Sequence, residues 1–199
     1  MSKRNINPQK KIDLVILAAR KLFVEKGYCG VAIPQIVKES GVSVGAIYLH
    51  FGNKEKLAET VYQKTLEQFM ELFSERLSGR ETVRDKLQAF AELVFEITEE
   101  DSEMMEYMLS IRKEIRSKIL IPLCSSGAFT EVQLIVSRGI TAGEIKSGDP
   151  LVTAISYTGI ILRAVDLRLQ GVIKQPLQVI AAELIENAWS SISAGPLPK

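Results

Sequence analysis

The chain has 199 residues, 46% hydrophobic and 25% charged, a globular composition that excludes a disordered polymer. Two cysteines, Cys29 and Cys124, and one histidine, His50, exclude a disulfide framework and any multi-histidine or four-thiolate metal centre, so no metal or other cofactor is expected. The net charge of +1 conceals a division: residues 1–56 carry ten Lys/Arg and four acids, against 15 basic and 20 acidic residues in the rest, which points the N-terminal segment toward a polyanion such as nucleic acid.

No stretch reaches the ~18 uninterrupted apolar residues of a membrane span. The basic start, MSKRNINPQKK, runs into Asp13, Arg20 and Lys21, and no signal peptide is read there. A soluble, cytoplasmic protein with no membrane partner is expected.

Helical periodicity governs the chain. Ile12, Val15, Ile16, Ala19, Leu22 and Phe23 follow the spacing of one buried stripe, with Asn7-Pro8 as cap and first turn and Gly27 as a left-handed stop. A short apolar stretch, 33–37, leads to Ser40-Gly41. Ser43 then caps a helix of about two turns, 44–51, closed by Gly52. Asn53 caps a long helix with Leu57, Val61, Leu66, Phe69, Met70, Phe73 and Leu77 on one face. Thr82 and Asp85 open a helix carrying Val83, Leu87, Phe90, Val94 and Ile97; the polar run 98–102 separates it from a segment 104–120 closed by Pro122. Further helices are read over 129–141, 151–169 and 176–193, the last two split by Gly171. No period-2 alternation bounded by hairpin turns occurs, so the predicted class is all-α with about nine helices.

The helix ending at Ser40, the turn Gly41-Val42 and the helix 44–51 match a helix-turn-helix in length and turn chemistry. Gly41 takes the corner, Val42 plugs the angle, and Ile36, Ile47 and Phe51 face the first helix. Val44, Gly45, Ala46, Tyr48, Leu49 and His50 are left to meet something outside, with Gly45 and Ala46 small enough for a close approach to a groove floor. Tyr48 and His50 can donate to phosphate oxygens, and Lys54 opens the next helix, where free N–H groups also attract a phosphate.

The runs ILAARKLFVEKGY (16–28) and IVKESGVSVGAIYLHFGNKEKL (36–57) resemble the DNA-binding domain of the tetracycline-repressor (TetR) family over roughly residues 12–57. The resemblance implies a dimeric, usually repressing transcription factor, with a DNA-binding domain at 1–53 and an effector-binding and dimerisation domain at 54–199. It implies phosphate contacts from Tyr48, His50 and Lys54, and base-edge contacts from Val44, Gly45, Ala46 and Leu49. Pro34 departs from the family pattern, where a polar or basic residue commonly touches DNA; Gln35 is the available replacement, and Ser43 completes the DNA-facing set. Val44 and Leu49 offer only apolar contact, for instance to thymine methyls, so specificity leans on backbone N–H groups, DNA shape and the arm holding Lys3 and Arg4.

The remaining chain suggests a ligand cavity and a partner surface. Met104 and Met108 cluster with Tyr107, and Phe90, Val94, Cys124 and Phe129 are candidates for the same cavity, each with ordinary core packing as its alternative. Arg112 is placed to meet an anionic head or to pair with a nearby glutamate. The last two helices carry more apolar surface than one core contact needs. The resemblance implies that they form a homodimer interface, here Ile155, Ile161, Leu162, Val165, Leu184, Ile185 and Trp189, with Arg163, Asp166 and Arg168 at its rim. The expected function is a sequence-specific, double-stranded-DNA-binding regulator on a pseudo-palindromic operator, a repressor released by a small-molecule effector. An effector-independent, nucleoid-associated DNA-binding protein and a transcriptional activator stay open as alternatives. One histidine, no carboxylate-histidine motif and no phosphate loop argue against an enzyme.

Overall fold

Local side chains set where the helices begin. The computed structural model describes residues 7–114 and 127–195, without the side chains of 112–114. The expectations at Lys3, Arg4, Pro122 and Cys124, and for the Arg112 side chain, therefore lie outside the described residues. Among the described residues there are nine helices: α1 (Pro8–Gly30), α2 (Ile33–Ser40), α3 (Val44–Phe51), α4 (Lys54–Leu77), α5 (Val83–Glu100), α6 (Ser102–Glu114), α7 (Gly127–Thr141), α8 (Pro150–Leu169) and α9 (Leu177–Ile192). Asn7, Ser43, Asn53, Thr82 and Asp149 each accept a hydrogen bond from a first-turn amide, which satisfies donors that the helix itself leaves open. The all-α expectation holds; the one sheet-like feature among the described residues is an isolated bridge between Ile145 and Ser193.

One boundary differs from the sequence expectation for an identifiable reason. Helix α5 runs on to Glu100 because the Thr98 hydroxyl donates to the Val94 carbonyl at 2.7 Å, which lets a polar side chain stay buried inside the helix. Helix α2 begins at Ile33, with Pro34 in its first turn. The amide of Ala32, the N-cap, donates to the Gln35 side-chain oxygen at 2.7 Å, the N3 half of a capping box, while Ala32 has no side-chain acceptor for a first-turn amide. Gly27, at φ 70°, breaks α1 where expected, leaving a last turn over 28–30.

The chain forms two compact units, Met1–Glu67 with Glu106–Pro122 and Gln68–Met105 with Leu123–Lys199. In the first, Val15, Ala19, Leu22 and Phe23 of α1 are buried, as are Ile36, Ile47, Phe51, Leu57 and Val61. Tyr107 joins this core: its ring lies 6.2 Å from that of Phe23, and its hydroxyl donates to the Ala58 carbonyl at 3.0 Å. Burial pushes the Tyr107 phenol well above its ordinary value, so it stays a donor at any physiological pH.

In the second unit Phe69, Phe73 and Phe90 meet at centroid distances of 5.5 to 6.3 Å, the Phe90 contacts being edge-on. The Tyr157 hydroxyl donates to the Leu87 carbonyl at 2.8 Å and ties α8 to α5. Arg168 of α8 forks onto both Glu99 oxygens at 2.8 Å, and Glu99 also accepts from the Leu177 amide at 3.0 Å. One carboxylate thus joins the end of α5, the end of α8 and the start of α9. Arg168, expected at the rim of a dimer interface, keeps part of its side chain exposed while its guanidinium is engaged in this joint. At Gly139 a Cβ would come within 2.7 Å of Ile145 Cδ1 and 2.8 Å of Val83 Cγ1, so α7 approaches its neighbours there as only glycine permits.

Two tests follow from this packing. Gly139→Ala should cost about 1–3 kcal/mol in urea unfolding, because a branched Val83 cannot swing aside; no change would mean that the neighbours relax. The Arg168 guanidinium, opposed by partial burial and helped by the Leu177 amide, holds the Glu99 carboxyl below the usual carboxylate range. A carboxyl depressed in this way adds stability above its unfolded value of ~4 and loses it as pH falls through the folded value. Glu99→Gln should therefore melt lower than the parent at pH 7, with the gap closing on acidification; an equal gap at acid pH would remove the ion pair as its cause.

Candidate nucleic-acid interface

The corner between α2 and α3 is built from backbone first. Gly41 sits at φ 69° and donates its amide to the Val37 carbonyl at 2.9 Å, ending α2 with a left-handed residue that a side chain would strain. Val42 is buried behind it, and the Ser40 hydroxyl accepts from the Val42 amide at 3.2 Å. Ser43 then caps α3 by accepting from the Ala46 amide. Ile36 and Ile47 have essentially no exposed surface, which leaves one phase of α3 inward and the opposite phase outward.

That outward phase is unusual for a soluble surface. Leu49 is 89% exposed, and Val44 and Tyr48 are each about half exposed. A Cβ added at Gly45 would meet nothing within 4 Å, so the α3 backbone lies open at that point. Ala46 is half-buried, and His50 is exposed with its ring edge-on to Phe51 at 4.6 Å. A shallow groove beside this face is lined by Lys11, Ile12, Val15, Val42, Leu49 and His50, among others. Of the remaining DNA-facing candidates, Gln35 uses its carbonyl oxygen to cap α2 and keeps its amide protons for another acceptor. Ser43 likewise keeps its hydroxyl proton.

Lys54, expected to contact a phosphate, has its ammonium engaged within the chain. Its Nζ donates to the carbonyls of Tyr28 and Val31, both at 2.7 Å, and stands 4.2 Å from the Tyr28 ring centroid. Tyr28 is the partner that sequence reasoning missed: it lies just beyond the break at Gly27, where no periodicity reports its direction. Lys21 is engaged as well, pairing with Glu39 at 2.7 Å.

The body candidates fare unevenly. Phe90, Val94, Met104 and Phe129 are buried in the second unit, and Tyr107 and Met108 in the first. Phe90 packs on Phe69 and Phe73, and the Tyr107 hydroxyl is committed to Ala58. On α8 the inward phase is Ala154, Tyr157, Thr158, Ile161, Ala164 and Val165. Ile161 and Val165 are fully buried within their own subunit, which overturns their expected place at a dimer interface: a residue with no free surface cannot line a contact with a second chain. The opposite phase holds Val152, 61% exposed, and Ile155, 52% exposed, with Leu162 part-exposed beside it. On α9, Val179 is 68% exposed, and Leu184, Ile185 and Trp189 are half-buried, Trp189 lying 5.8 Å from the Arg84 guanidinium carbon. Among the described residues, no group of three or more His, Cys, Asp or Glu is placed to hold a metal ion.

Known proteins share both this head and this helical order. The model of bacterial regulatory proteins of the tetR family matches residues 15–61, from within α1 to within α4. The fatty acid metabolism regulator protein of Bacillus subtilis (strain 168) is 31% identical over 138 residues, covering 67% of this chain and 70% of that relative. This chain belongs to the TetR family. A second relative, the HTH-type transcriptional regulator TtgR of Pseudomonas putida, is 28% identical over 163 residues, covering 75% of this chain and 77% of TtgR. Among solved structures, FadR of Bacillus subtilis in complex with stearoyl-CoA matches with a TM-score of 0.76 at 25% identity, covering 90% of this chain and 98% of that one. FadR of Bacillus halodurans, at 22% identity, reaches a TM-score of 0.80 over 90% of this chain and 94% of its own, a likeness of fold. As a TetR-family member the chain is a transcriptional regulator, and its helix-turn-helix, α2 and α3, lies inside the matched region.

Proposed function

We propose that this protein is a homodimeric, operator-binding repressor whose α3 enters the DNA major groove and which a small amphiphilic molecule releases from DNA. The observation that carries the DNA-facing reading is the bare outer phase of α3: an open backbone at Gly45 flanked by Val44 and by Leu49 at 89% exposure. A surface that offers so little for water and so close a backbone suits the floor of a groove, where apolar side chains meet thymine methyls. Val44, Gly45, Ala46 and Leu49 face base edges in this reading. Tyr48, His50, Ser43 and the Gln35 amide grip phosphates, positioning the helix without reading sequence.

Two heads spaced about 34 Å apart would occupy successive major grooves of a pseudo-palindromic site, so a dimer is part of the reading. The support for it in this chain is the apolar surface that α8 and α9 leave uncovered, with Val152, Ile155 and Val179 exposed and Leu162, Leu184, Ile185 and Trp189 half-buried; apolar exposure on two neighbouring helices suits a protein partner. The relatives guide the choice of effector. One is a fatty acid metabolism regulator and a solved neighbour carries stearoyl-CoA, so a long-chain acyl thioester is the first ligand class to test. Helix α4 contributes to both compact units and is the natural carrier of a signal between ligand and head. The reading places the protein in the cytoplasm, on double-stranded DNA, with neither membrane nor catalytic role.

The decisive experiment measures binding to the chain's own upstream DNA across salt concentrations, with and without stearoyl-CoA. Ligand and operator should weaken each other by the same factor, as linkage requires; operator affinity unmoved by saturating acyl-CoA would discard that ligand class, and no preference for the upstream fragment would discard the repressor. In the same assay Gly45→Ala should fold at least as well as the parent, since alanine is the better helix former and meets no neighbour. It should lose about tenfold or more in operator affinity, the scale of one lost base-edge contact. Undiminished affinity would take α3 out of the groove.

A further inference from the structure

We infer that Lys54 is a positioning residue: it acts on operator affinity by clasping the turn between α1 and α2 to the start of α4, and not by holding a phosphate. The inference rests on the DNA-binding reading above and deepens it.

The geometry is that of an occupied cation site. An ammonium has three protons, and two of those on Lys54 lie on carbonyl oxygens at 2.7 Å, those of Tyr28 and Val31. The Tyr28 ring covers the same nitrogen at 4.2 Å, and its face attracts a cation. These acceptors are in reach because Gly27 breaks α1 and the chain then turns within a few residues into α2, at a helix end whose dipole favours positive charge; the Tyr28 carbonyl also accepts a longer bond, 3.4 Å, from the Val31 amide. Val31 is buried and Tyr28 is backed by Phe23 at 5.6 Å, so both bonds to the ammonium are partly sheltered from water. Releasing Lys54 to a phosphate would break two short bonds and a ring contact, and would leave the Val31 carbonyl without this donor.

What the clasp holds in place is the start of α2. Val31 directly precedes the Ala32–Gln35 cap, and α2 runs from there to the Gly41 corner that sets the direction of α3. Lys54 itself is the first residue of α4, whose next turn is anchored by the buried Leu57 and Ala58. A cross-link between these two points fixes the tilt of the recognition unit on α4, so its loss should broaden the approach angle of α3 and degrade base contacts more than backbone contacts.

The test uses the full chain, the upstream fragment that the parent protein binds and a random duplex of equal length, each titrated in salt. The variants are Lys54→Met, Tyr28→Leu and the double. Lys54→Met should lose roughly tenfold on the upstream fragment and little on random DNA. Its slope of log affinity against log salt should match that of the parent, because no phosphate contact has gone. Tyr28→Leu, which leaves every charge in place, should lose affinity for the fragment in the same sense, and the double should be no worse than Lys54→Met alone. A slope smaller by about 0.9, equal losses on both DNAs and a neutral Tyr28→Leu would make Lys54 a phosphate ligand and overturn the inference. Should Lys54→Met fail to fold, Tyr28→Leu decides by itself: loss at constant slope supports the clasp, and unchanged affinity rejects it. If the unsubstituted protein shows no preference for the fragment, the DNA-binding reading falls and takes the clasp with it, a failure recognisable before any variant is made.

Discussion

Two helices of eight residues each are too short to hold a shape alone, since a helix of that length gains little from its own hydrogen bonds. The head therefore depends on the burial of one phase of each: Ile33 and Ile36 from α2, Ile47 and Phe51 from α3, with Val42 wedged at the corner. Because that inner phase is fully occupied, the outer phase of α3 is determined by subtraction. Within α3, the residues assigned to base edges and phosphates lie off that buried phase, whereas Gln35 and Ser43 also cap the two helices. The left-handed Gly41 makes this possible, since it lets the chain reverse between two inward-facing phases without an intervening loop.

The basic charge of the first quarter of the chain does less external work than its count suggests. Lys21 is paired with Glu39, and Lys54 is bonded to two carbonyls and a ring. Charge counting treats each cation as available to a polyanion, whereas a folded chain also commits cations to its own helix ends. The same behaviour appears in the second unit, where Arg168 closes on Glu99 and on the carbonyl of Ile173. Long flexible cations reach the unsatisfied carbonyls of helix termini, and both arginine and lysine serve as joints in this fold.

Helix α8 shows how one sequence stretch can serve two cores. Its 20 residues are apolar enough to cross a membrane by length and composition, yet only a third of its most apolar window is buried within the subunit. The buried residues follow the helical period, the exposed Val152 and Ile155 lie on the opposite phase, and the rest are largely intermediate. A second chain of the same kind is the simplest cover for such a surface, since an isologous contact presents the same apolar phase from both sides.

Helix positions, the corner at Gly41 and the all-α class were legible in the sequence because each is decided within a few residues. Asn7, Ser43, Thr82 and Asp149 cap amides two or three positions away, and glycine alone tolerates the dihedral angle at the corner. The exposed phase of α3 was legible for the same reason. What needed the tertiary structure was every question of where a long side chain ends. Lys54 finds its partners 23 and 26 residues away, Tyr107 at a distance of 49 and Arg168 at 69, separations that no periodicity encodes. Ile161 and Val165 could not be placed from sequence because α8 is apolar on both phases, so composition cannot tell inward from outward; only the packing of neighbouring helices against one side makes that choice.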